Sequence, residues 1–233
     1  MAGQSLAREV FVSAIALTAF AVMPLKVAEA AEVKTWDGRH DISKIEVTVA
    51  YFVPKDRHPL PDWRDRVNYF AKRIERFHAR EFDGQSTLTT KVLDQPFASA
   101  RTTEQLRAGD ADFIFFQTLR EVDNELQFGR HKNDAFPILL VLSEINWRPL
   151  DDFFRVSPND GKLQFEGQII NGRHFPGARS GGARATYLAD RGVGWGLVSA
   201  DGWRVPYSGT DCVIYHEGVG HPIGLPHPEP QNS

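Results

Sequence analysis

Among its 233 residues the chain has one cysteine, so no intramolecular disulfide can form, and a packed core or a metal must hold the fold. It has two methionines, Met1 and Met23, both near the N-terminus. It lacks a basic excess: the formal net charge is -3 and the pI about 6.2, which argues against a nucleic-acid partner and removes electrostatic support for a membrane-surface role. No apolar stretch reaches the roughly 20 residues of a spanning helix. No internal repeat is apparent, and 42% hydrophobic with 24% charged residues is ordinary globular composition.

The longest apolar run, Val10 to Leu25, follows Arg8 and precedes Ala28-Glu29-Ala30, a small-x-small cleavage site. Residues 1–30 therefore read as a secretion signal. The expected product is secreted or periplasmic, with no stable membrane anchor after cleavage and no methionine. Residues 31–233 are expected to form one domain.

Ile45, Val47, Val49, Tyr51 and Val53 alternate in residues 45–53, the period of a strand with one buried side. From Asp62 to Phe82, Trp63, Val67, Phe70, Ile74 and Phe77 recur at steps of three and four. This predicts a long amphipathic helix capped by Asp62 and stopped near Gly84. Thr87-Leu93, Phe113-Phe116 and Ile138-Leu142 read as strands, and Thr102-Ala108 and Thr118-Leu126 as short helices. Residues 157–192, with the glycine cluster Gly177-Ala178-Arg179-Ser180-Gly181-Gly182, read as a long loop region with one hairpin around Lys162-Ile170. Gly192-Ala200 returns to strand-like sequence. Strand, helix, strand implies a crossover and an α/β sheet covered by helices.

The chemistry concentrates near the C-terminus, in Tyr215-His216-Glu217-Gly218-Val219-Gly220-His221-Pro222-Ile223-Gly224-Leu225-Pro226-His227. Neutral imidazoles suit zinc, and a catalytic zinc takes three protein ligands and keeps a fourth position for water. His216, His221 and His227 supply three imidazoles. Glu217 has the chemistry to take a proton from an attacking water, and Gly224 lets the chain turn so that His227 can return to the metal. A surface helix with incidental histidines before a Pro-rich tail is the alternative. Cys212, one turn before His216, reads as a small helix residue rather than a fourth ligand.

The segment resembles the metzincin zinc endopeptidases, whose signature is H-E-x-x-H-x-x-G-x-x-H. His221-Pro222-Ile223-Gly224-Leu225-Pro226-His227 matches its second half, while His216 and His221 stand five apart rather than four. On an ideal helix that spacing turns the two rings about 140° from one another, so the spacing predicts a π-type bulge, eased by Gly218 and Gly220.

The resemblance implies an α/β (α+β) fold with a twisted mixed sheet, a long backing helix and an active-site helix. It implies a secreted endopeptidase using Zn2+, with Glu217 as base and peptide or protein as substrate. The alternative function is a non-catalytic exported zinc-binding protein or an inactive, truncated pseudopeptidase. Metzincins also carry a methionine turn after the third histidine; none follows here, which implies a catalytic domain lacking its C-terminal part. In such folds the edge strand above the active-site helix binds substrate by strand addition. Gly192-Ala200 holds the matching place in chain order, which nominates Gly194, Trp195 and Gly196 as substrate-binding residues.

Overall fold

A computed structural model describes residues 33–130, 134–147, 183–203 and 214–225, together with the backbone of four short strands between 154 and 175. The expected signal segment, Cys212 and His227 lie outside the described residues. In chain order the elements are β1 (Lys44–Val53), α1 (Trp63–Phe82), β2 (Thr87–Val92), β3 (Phe97–Ala98), α2 (Thr103–Leu106), α3 (Ala111–Leu126) and β4 (Phe136–Ser143). There follow β5 (Phe154–Val156), β6 (Leu163–Phe165), β7 (Gln168–Ile170), β8 (Arg173–Phe175), β9 (Ala183–Leu188), β10 (Val193–Val198), α4 (Ala200–Trp203) and a site helix over residues 214–223. No described helix is long and apolar enough to cross a membrane.

The fold is mixed α/β around an open, mostly parallel sheet ordered β2-β1-β4-β10-β9, with β3 pairing further along β1. Within this sheet β1 runs parallel to β2, β3 and β4, and β10 runs parallel to β4, while the β10–β9 pair alone is antiparallel. Pleating sorts the side chains into two layers. Ile45, Val47, Val49 and Tyr51 of β1 with Ile138, Leu140 and Leu142 of β4 meet Val67, Phe70 and Ile74 of α1 and Ile214, Val219 and Ile223 of the site helix. On the opposite face Ala50, Phe52, Leu139, Val141, Trp195 and Leu197 meet Ile114, Phe115, Leu119 and Val122 of α3. β1 is thus buried on both sides from Val47 onward rather than on one, because it is flanked by strands and sandwiched between helices.

Several expectations need correction. Phe113-Phe116 is not a strand but part of α3, which starts where the Asp110 carboxylate accepts the Phe113 N–H at 2.8 Å. Asp62 does not cap α1, since its backbone is not extended (φ -104°, ψ 18°); its carboxylate instead accepts from Arg66 Nε at 2.8 Å. α1 does stop as expected, with Asp83 and Gly84 both left-handed (φ 45° and 79°). The region 157–192 contains β9, and the expected hairpin is replaced by two pairs, β5 with β6 and β7 with β8.

Candidate metal centre

The site helix lies against the sheet because three glycines remove the side chains that would hold it off. A Cβ at Gly194 would collide with Pro222, and one at Gly196 would lie 2.6 Å from the Glu217 carbonyl oxygen. Across the contact, a Cβ at Gly218 would lie 3.0 Å from Cδ2 of Leu140. The helix begins with an α turn, widens to a π turn over His216–Gly220 and tightens to a 3-10 turn over His221–Ile223. In the π turn the His221 N–H donates to the His216 carbonyl, five residues back. The expected widening is therefore present, and it brings the two imidazoles to a ring separation of 4.0 Å.

His216, Glu217 and His221 each offer a ligand atom, and these atoms all lie within 4.8 Å of one another. Glu217 is 1% exposed, and its Oε1 is 3.9 Å from Nε2 of His221. This nitrogen and oxygen donor set suits zinc and other first-row divalent ions, so the cluster could hold a metal.

Gly224 ends the helix with φ 87°. The Leu225 N–H donates to the Gly220 carbonyl at 2.9 Å and the Gly224 N–H to the His221 carbonyl at 2.8 Å, the paired bonds of a Schellman motif. The turn delivers the Leu225 carbonyl to Nδ1 of His221 at 2.7 Å. A carbonyl only accepts, so Nδ1 carries the proton and the ring lone pair sits on Nε2, the nitrogen that faces Glu217.

Behind the helix, Tyr215 anchors the residue before His216. Its hydroxyl donates to Nδ1 of His78 at 2.9 Å, Nε2 of His78 donates to Ser86 Oγ at 2.8 Å, and Ser86 donates to the Ile42 carbonyl. The last acceptor sets the direction of the whole chain, and His78 is neutral in it. Burial lowers the His78 pKa to about 4 and raises that of Tyr215. Sequence reading passed over His78; the signal was its place four residues after Ile74, on the apolar stripe of α1.

Of the nominated residues, His216, Glu217 and His221 come together, and His227 lies outside the described residues. Gly194, Trp195 and Gly196 do not line a substrate edge, because β10 is paired on both sides, with β4 and β9. Their alternation has another purpose: the two glycines face the site helix, and Trp195 points into the opposite layer, 6.3 Å from Phe116 between ring centres. The edge beside the site helix is β9. No protein-family model, curated protein or solved structure matches the chain.

Proposed function

We propose that the chain is a secreted zinc-dependent endopeptidase with a metzincin-like arrangement, in which α1 backs the sheet and the site helix carries the chemistry. The observation that carries this reading is the π turn, which offsets the extra residue between His216 and His221 and gathers both imidazoles beside Glu217. His216 and His221, with His227 as the third imidazole, would hold the ion. Zinc when bound supplies a Lewis acid for the scissile carbonyl and lowers the pKa of water toward neutrality. Glu217 takes a proton from the attacking water and returns it to the leaving amine nitrogen as the C–N bond breaks. The Leu225 carbonyl keeps the His221 ring in the tautomer this requires.

Zinc titration with peptide hydrolysis tests the reading. The protein should bind about one zinc per chain and cleave peptides. Glu217→Gln should keep the zinc and abolish cleavage, whereas His216→Ala and His221→Ala should each lose both. Zinc bound without hydrolysis of any peptide would leave the non-catalytic zinc-binding function instead, and full zinc occupancy in the His216→Ala/His221→Ala double variant would remove the site altogether.

A further inference from the structure

Residues 33–42 form a tight arm ahead of β1. The Thr35 N–H donates to the His40 carbonyl at 2.9 Å, the Ile42 N–H donates to the Val33 carbonyl at 2.8 Å, and Gly38 turns the tip at φ 71°. Three polar contacts clamp this arm to the β9 end of the sheet. Tyr187 Oη lies 3.1 Å from each oxygen of the Asp37 carboxylate, Arg39 pairs with Asp190 at 3.0 Å, and Nε2 of His40 donates to the Ala189 carbonyl at 2.8 Å. The clamp holds Trp36 over Gly224, so closely that a Cβ there would collide with the indole.

Trp36 nevertheless remains 71% exposed, and Leu225, the residue after Gly224, is 42% exposed. The other exposed large apolar side chains among the described residues, Tyr69 and Phe113, lie elsewhere, on α1 and α3. An indole that faces water across most of its area gains little from burial in the fold, so an apolar surface held this way stabilises what docks on it. The place is specific. Leu225 supplies the carbonyl bound to Nδ1 of His221, and Trp36 packs on Gly224 beside it, so both belong to the turn that closes on a ring that would hold the metal. An extended peptide advances about 3.3 Å per residue, so a substrate lying along this turn would present the side chains beside its cleaved bond to these two residues.

We infer that Trp36 and Leu225 form an apolar subsite that selects a peptide substrate with a large apolar side chain close to the scissile bond. The arm's clamp through Asp37 and Tyr187 positions the indole. This inference rests on the peptidase reading and adds the residue class that the enzyme prefers.

The test compares the full chain with its Trp36→Ala and Trp36→Phe variants on matched peptides that carry Leu or Phe, or else Ala, beside the cleaved bond. Trp36→Ala should lose about tenfold in kcat/KM on the Leu and Phe peptides and less than about twofold on the Ala peptides. Trp36→Phe should restore most of the loss, and zinc content should be equal in all three. A second readout does not depend on turnover. In the Glu217→Gln chain, an uncleaved Leu peptide should shield an indole from acrylamide quenching, and the shielding should vanish with Trp36→Phe. An unchanged Leu-to-Ala preference in Trp36→Ala, or no shielding, overturns the inference while leaving the peptidase intact. Failure of the unmodified chain to cleave any peptide overturns both.

Discussion

The N–H of His221 donates to the carbonyl of His216, five residues back, and this one π-type bond decides whether the two imidazoles share a face. In a regular α-helix they would stand about 140° apart. The turn is held from both sides: Gly196 and Gly218 let the helix sit on β10 and β4, and the Schellman turn at Gly224 closes its far end. Metal affinity should therefore respond to residues that never touch a metal.

Gly196→Ala is the sharpest case, because its Cβ would meet the backbone oxygen of Glu217, which cannot swing aside as a side chain would. The site helix must lift, at a cost of roughly 1–3 kcal/mol. Zinc affinity should fall about 10- to 100-fold together with Tm. Trp195→Phe, on the opposite face of the same strand, should lower Tm and leave zinc affinity unchanged. Calorimetry on both variants checks the contrast; equal zinc affinity in Gly196→Ala and the unmodified chain would show that the close approach is not what holds the site.

Gly224→Ala attacks the other end. A left-handed backbone costs an alanine about 1–2 kcal/mol, and its Cβ would also meet Trp36. The Leu225 carbonyl should leave His221, releasing the tautomer and weakening zinc binding about 10- to 100-fold. Adding Trp36→Ala should recover only the part due to the collision, so zinc affinity in the double variant should stay below that of Trp36→Ala alone.

Why some of this was legible and some not follows from the range of the contacts. The period of residues 45–53 and the three-and-four spacing through α1 are local, and the five-residue gap between histidines by itself demands a wider turn. Phe113-Phe116 misled because four residues with three aromatics look like a buried strand. The Asp110 cap and the spacing of Ile114, Phe115, Thr118, Leu119 and Val122 mark the same residues as one face of α3. β9 was missed because an edge strand that is only half buried carries no apolar alternation. The glycines of β10 were rightly read as a point of close approach, but the partner is the site helix, and a contact between such distant segments leaves no periodic trace. Trp36 is the extreme case, a single indole in a polar turn.

His78 predicts how the fold responds to acid. It is buried and neutral between Tyr215 and Ser86, stacked 4.2 Å from Phe82, with its pKa lowered to about 4 from 6.5 in the unfolded chain. Below pH 6.5 the unfolded state takes up a proton that the folded state refuses, so stability falls with pH until the folded pKa is passed. The loss is confined to the window from about 6.5 to about 4 and amounts to at most about 3 kcal/mol. Denaturant titration of metal-free protein across this window should show the slope, and His78→Gln should flatten it by one group. Parallel pH profiles for the two proteins would mean that His78 is protonated in the fold.

If the chain is a peptidase, its substrate should pair with β9, the strand at the sheet edge beside the site helix. Successive N–H groups of a strand point to opposite sides, so of Ala185 and Thr186 one donates toward β10 and the other away from the sheet. Proline removes the donor at either position. One of Ala185→Pro and Thr186→Pro should therefore break the ladder with β10 and lower Tm. The other should leave Tm close to that of the unmodified chain but raise KM for peptides several-fold, with zinc content unchanged. That asymmetry separates strand addition from general damage, since a merely structural edge would show a stability loss at one position and no kinetic change at the other. Unaltered KM in the stable variant would remove β9 as the substrate edge and leave the Trp36 side of the site as the place where the peptide is held.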